Sequence, residues 1–229
     1  MISTAFARKG FHLIRRDVDI SERHNMAAPN AVDGVLEEFD HCADDGNPTV
    51  YVHQGVHCQI YTMASFGYYR DADNLDGYPL GHKMWIEAKE KLCTEANEYA
   101  DNSAELFNIL AESGIPTTIE NPRRSYLWQR KSYVELLANE AYDAITVYSC
   151  QFGMPYQKPY TILCANIPSL RKFGSRVCTC GPHAATLSHW DTATDRPQVD
   201  TKDSNSYPKK LVNAWCGLVV KHHDNLRLL

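Results

Sequence analysis

The chain has 229 residues, 44% of them hydrophobic and 22% charged, enough for one sizeable α/β domain or two small ones. No apolar run approaches membrane-spanning length, so an integral membrane protein is not expected. The net charge of −5 hides an asymmetry: residues 1–120 carry 9 Lys and Arg against 20 Asp and Glu, leaving 14 against 8 for 121–229. A basic second half suits a polyanionic partner, although a scatter of solvated charges gives the same count.

The opening ISTAFARKG puts Ile2, Ala5 and Phe6 at helical spacing, with Gly10 as a stop. FHLIRRD then reads as a strand ending at the acidic pair Asp17 and Asp19. AVDGVLEEF (31–39) is a short amphipathic helix and TVYVHQ (49–54) a strand. GYYRDADNLDGYPLG is loop. A helical pattern runs from His82 to about Ser113, closed by Gly114, with a break expected near Asn102-Ser103 because both residues favour caps.

Next come a short strand PTTIE (116–120), a helix SYVELLANEAY (132–142), and two strands in AITVYSCQF and TILCAN around the turn GMPYQKP. After Arg171 the chain is polar and loop-like until a last amphipathic helix, YPKKLVNAWCGLVVKHH (207–223). Strands alternating with helices predict a mainly parallel α/β sheet, whose ligands sit beyond the carboxyl ends of strands. Asp17/Asp19, Cys58 and Glu120 all fall at such ends. Most cysteines are small buried hydrophobes. Cys58 instead follows a strand by a few residues, with Gly55 before it, where a ligand can reach.

Taken in order, these landmarks resemble the cytosine-5 DNA methyltransferase family, especially its short phage, viral and algal members. ISTAFARKGF is similar to the stretch after the family's glycine-rich cofactor loop. His57-Cys58-Gln59 stands where the family has Pro-Cys-Gln, and Glu120-Asn121-Pro122 where it has Glu-Asn-Val. CQFGMPYQKPYTIL (150–163) resembles a later segment that brings a basic residue to the target base, and Lys158 is its only cation. The likeness extends through ENPRRSYLW, CTCGPHAATL and YPKKLVNAW.

The resemblance implies a class I methyltransferase (Rossmann-like) fold with helices on both faces of the sheet, beginning after the first strand and glycine-rich loop. It implies a catalytic core over 1–170, a loop-rich insert over 171–206, and a C-terminal helix over 207–229 packing back on the core. Phe11, Asp17, Asp19 and Gly55 would face S-adenosylmethionine. Cys58, Glu120, Asn121 and Lys158 would carry the chemistry. Gln59, Arg123, Arg124, Arg130 and Lys131 would contact DNA, whose recognition should be weakly sequence-specific without a large target-recognition domain.

Cytosine C5 is a poor nucleophile until a thiolate adds to C6, a role for Cys58 that needs a helix N-terminus or a cationic neighbour such as His57 or Lys158. Glu120 would protonate N3, Asn121 would fix the loop, and the base must leave the duplex. Plainer readings stand beside these: a semi-buried thiol at Cys58, a strand-end ion pair at Glu120, a solvated turn at Lys158, a soluble helix-start face from Arg123 to Lys131, a local cap at Asp17. Two other functions compete: a catalytically silent nucleic-acid-binding relative, and a thiol hydrolase pairing Cys58 with His53 or His57.

Cys178, Cys180 and His183, in CTCGPH, are closely spaced soft ligands suited to zinc, with Cys164, Cys150 or His189 as the fourth. The opening residues lack a signal-peptide apolar stretch. Eight cysteines without an export signal suggest reduced thiols in a cytoplasmic or nuclear setting, and a monomer is expected.

Overall fold

The computed structural model describes residues 2–14, 25–62, 75, 86–174, 177–183, 185, 187–191, 196–199 and 207–226. Helices α1 (Ile2–Ala7) and α2 (Ala31–Asp44) precede β1 (Val52–Gly55) and the single turn α3 (Cys58–Tyr61). Helix α4 (Ile86–Glu112) leads to β2 (Thr117–Pro122), α5 (Lys131–Ala138), β3 (Asp143–Tyr148) and β4 (Pro159–Ala165). A short α6 (Arg171–Gly174), the hairpin β5 (Ser188–Asp191) and β6 (Arg196–Val199), and α7 (Lys209–Leu226) complete the order. The expected strand over FHLIRRD has no regular structure at residues 11–14, and its remainder, with Asp17 and Asp19, lies outside the described residues. The stretch expected to be loop after Arg171 contains the β5–β6 hairpin.

The four-stranded sheet has the order β1-β2-β4-β3. Strands β1 and β2 are parallel, with Gly55 opposite Glu120 at their carboxyl ends. The sheet is mixed, however, and not mainly parallel as the alternation of elements suggested. The physical reason is the length of the β3–β4 link, which runs only from Ser149 to Lys158. A parallel return needs a dozen or more residues. The chain therefore doubles back, with Ser149 N donating to Lys158 O at 3.1 Å and Cys164 Sγ to Asp143 O at 3.4 Å.

Compactness divides the chain into two units. The first comprises residues 14–144 and 162–166, and its centre is α4. Ala96, Ala100, Ala104, Phe107 and Ala111 recur at three- and four-residue spacing and form one buried stripe, packed with Ile119 and Leu163. Leu106 and Leu110, on another face, pack against Val32 and Val35 of α2. No break occurs at Asn102-Ser103, because both side chains have tertiary partners rather than capping roles. Asn102 Nδ2 donates to Met26 O at 2.7 Å, and Ser103 Oγ to Gln54 Oε1 at 2.6 Å. Gly114, two residues past the end of α4, turns the chain away with a φ of +77° that favours glycine. Asn166, also left-handed at φ +59°, donates from Nδ2 to Ala111 O at 2.8 Å in the last turn of α4.

The second unit comprises residues 1–13, 145–161 and 167–229. Helix α7 buries Leu211, Val212, Trp215 and Val219, a helical face that packs on α1. Edge-to-face aromatic contacts link Phe152 to Phe173 and Phe173 to Trp215, at centroid distances of 5.8 and 6.4 Å.

Candidate active site

The parallel register of β1 and β2 sets Cys58 and Glu120 toward the same end of the sheet. Gly55 closes β1 beside Glu120, and Cys58 follows three residues later at the start of α3. Cys58 is exposed, whereas Glu120 is buried at 7% exposure. A reachable thiol and a dehydrated carboxyl thus share the carboxyl edge of the sheet, where open α/β sheets bind ligands.

Two clamps from the segment after Glu120 hold the Cys58 turn. On one side, Asn121 Nδ2 donates to Val56 O at 2.8 Å, and both residues are buried. On the other, Ser125 Oγ donates to Tyr61 O at 3.3 Å, with an antiparallel bridge between Thr62 and Ser125. Tyr61 is fully buried, its hydroxyl bridging Ala96 O and Asn97 Oδ1 at 3.0 Å each. Cys58 is therefore an exposed residue on a turn fixed at both ends. Ser125 and Tyr61 escape a sequence reading, since a serine near a 3₁₀ turn signals only its local cap, here to Leu127 N.

The His57 ring lies edge-on against Tyr99 at 5.2 Å. His53 meets Thr118 Oγ1 through Nδ1 at 3.0 Å, and burial lowers its pKa to about 4. The neutral ring is the folded form, whereas an unfolded imidazole titrates near 6.5. Falling pH therefore favours the unfolded chain from about 6.5 down to 4. Between pH 7 and 5 this linkage removes about 1–2 kcal/mol of stability, with a discount for the ring's remaining exposure. Urea midpoints should show that loss, and His53→Gln should reduce it. An unchanged pH slope in the variant would contradict the assignment.

Among residues suggested for nucleic acid, Gln59 is exposed beside Cys58, and Arg123 and Arg124 are exposed just past Pro122. Lys131 is 92% exposed and sits 4.0 Å from Glu135. Arg130 serves the fold: its guanidinium donates to Asn97 Oδ1 at 2.8 Å and Asp101 Oδ2 at 2.7 Å, and its side chain is 10% exposed. Lys158, in the other compact unit, lies over the Tyr160 ring at 5.3 Å. Phe11 makes edge contacts with Phe6 and His223, also in that unit. Gly55 has open space where a side chain would begin.

A second cluster lies wholly within the second unit. The ligand atoms of Cys150, Cys178, Cys180 and His183 lie within 4.8 Å of one another, and such a set can hold a metal ion. Cys178 Sγ is 3.5 Å from His183 Nε2. Of the fourth-ligand candidates, Cys150 joins the group, while Cys164 is buried against Asp143 O. Burial pushes the Cys178 thiol up, but hydrogen bonds from the Cys180 backbone and from Cys150, Gln157 and Cys180 side chains outweigh it and bring it down to about 7. Burial, then the Cys178 and Cys180 sulfurs, push Cys150 up to about 11.

Among the described residues, no helix is long and apolar enough to cross a membrane. No family model, curated protein or solved structure matches this chain.

Proposed function

We propose that this chain transfers a methyl group to C5 of cytosine in DNA, through a covalent adduct between Cys58 and C6, with S-adenosylmethionine as donor. The observation that carries the reading is the pairing of an exposed, doubly clamped cysteine with a buried glutamate on adjacent parallel strand ends. A class I methyltransferase arrangement of the sheet belongs to the same reading.

The Cys58 thiolate adds to C6, and Glu120 gives a proton to N3 as negative charge develops on the ring. C5 then has enamine character. After it gains the methyl group, its proton leaves to solvent, the C6–S bond breaks to return the Cys58 thiolate and the ring double bond, and N3 gives its proton back to Glu120. Asn121 and Ser125 position the nucleophile by fixing the turn on either side of it. Bound S-adenosylmethionine supplies an electrophilic methyl group on a sulfonium. Gly55 suits its approach, since open space lies over the end of β1. The target base reaches the site only by flipping from the duplex. Arg123, Arg124 and Lys131 favour phosphate contact without sequence preference.

Calorimetric titration of the chain with S-adenosylhomocysteine should give binding near the micromolar range, about −8 kcal/mol. Labelled methyl groups should pass to cytosine-containing DNA and not to DNA lacking cytosine. DNA binding with neither cofactor affinity nor methyl transfer would instead leave the silent nucleic-acid-binding reading.

A further inference from the structure

We propose that Cys150, Cys178, Cys180 and His183 form a closed structural zinc site that ties the β3–β4 turn to the segment 177–183. The inference is independent of the methyl-transfer reading and uses no residue of that site.

Cys150 lies in the 3₁₀ turn Ser149–Phe152 that directly follows β3, and the other three ligands come from a stretch about thirty residues later. Zinc binds thiolate sulfur at about 2.3 Å and imidazole nitrogen at about 2.0 Å in a tetrahedron, so its ligand atoms stand roughly 3.3–3.8 Å apart. The observed 3.5 Å between Cys178 Sγ and His183 Nε2 already has that spacing, and the upper bound of 4.8 Å closes with small side-chain rotations. Three thiolates and a neutral imidazole select zinc over hard cations, which prefer oxygen. Four protein ligands leave no position for water or substrate, which makes the site structural.

The surroundings show why an ion belongs there. Residues 177–183 bury no hydrophobic side chain, and Val177 is itself exposed, so apolar packing does not hold the segment down. The turn that receives it is well fixed. Ser149 Oγ accepts from Lys158 N at 2.8 Å and donates to Tyr156 O at 2.9 Å, and Gly153 supplies the left-handed residue at φ +89°. Two further links lie beside the cluster: Ala185 N, two residues past the segment, donates to Pro155 O at 3.1 Å, and Gln151 Nε2 reaches Cys180 Sγ at 3.7 Å. The second touches a ligand sulfur, as outer partners of zinc thiolates do. Three thiolates on one zinc ion leave a net charge of −1. The Lys210 amine lies 3.5 Å from where a side chain on Gly153 would begin, close to that same turn.

The test is metal analysis of the full chain purified under reducing conditions, followed by alkylation mapping. About one zinc per chain is expected, lost in Cys178→Ser and in Cys150→Ser but retained in Cys164→Ser, which removes a thiol outside the cluster. In the unmodified chain, Cys150, Cys178 and Cys180 should resist alkylation with zinc bound and react at least about tenfold faster after chelation. Mapping needs no variant, so misfolding of a substituted chain does not obscure it. Substoichiometric zinc after reconstitution, or equal alkylation of those three cysteines with and without zinc, would overturn the proposal. A disulfide within the cluster that persists under mild reduction and blocks zinc uptake would also overturn it.

Discussion

Cys58→Ala should lower methyl transfer to cytosine by about 10⁴-fold or more, while changing the stability of the chain by under about 0.5 kcal/mol. The asymmetry follows from position. Cys58 is exposed and packs no core, so removing its sulfur creates no cavity. The turn that carries it is fixed by the Asn121–Val56 and Ser125–Tyr61 hydrogen bonds, whose atoms the substitution leaves in place. Without sulfur, C6 has no nucleophile, and C5 stays too electron-poor to attack a methyl donor. S-adenosylhomocysteine affinity and DNA affinity should both survive. Single-turnover transfer beside a thermal melt separates the outcomes. Activity within tenfold of the parent would exclude covalent catalysis by this cysteine.

Glu120→Gln should reduce the methylation rate by about 10²–10⁴-fold, the usual range for loss of a positioned proton donor. The substitution keeps the side chain's shape at a position only 7% exposed, opposite Gly55 in the parallel ladder. The amide can still hydrogen-bond a cytosine but cannot hand a full proton to N3. The loss should therefore fall on kcat, with little change in KM for DNA. Glu120→Ala loses that hydrogen bond as well and leaves a gap beside the strand, so it should cost more in both activity and stability. If Glu120→Gln kept the parent kcat, the carboxyl would be structural only.

The residues that allowed these expectations were legible in the sequence to different degrees. The strands before Cys58 and around Glu120 could be read because β-branched runs meet polar turns there, and period-2 and period-3.6 patterns are local, although β2 runs two residues past Glu120 to Pro122. The continuity of α4 could not. Asn102 and Ser103 have the composition of a cap, and only Met26 and Gln54, distant in sequence, satisfy them inside a helix. Sheet direction was misread for a related reason. Alternating elements suggested parallel strands, whereas the short Ser149–Lys158 link permits only a hairpin.

At the cysteine-rich cluster, CTCGPH showed three ligands, and Cys150 stood among the candidates for the fourth. Choosing it required knowing that the turn after β3 folds onto that loop. Arg130 carried the same positive charge as its neighbours Arg123 and Arg124. Its engagement with Asn97 and Asp101 is a tertiary fact that no local pattern announces.

The central claim is a covalent bond between Cys58 and cytosine C6, and trapping that bond tests it most directly. DNA carrying 5-fluorocytosine, incubated with the chain and S-adenosylmethionine, offers a ring that can be attacked and methylated. With fluorine at C5 there is no proton to remove, so the thiolate cannot be expelled and the adduct persists. Mass spectrometry of the digested complex should place the methylated fluorocytosine on the peptide containing Cys58, and Cys58→Ala should give no such species. Bound DNA without an adduct, or an adduct on any of the other seven cysteines, would contradict the account.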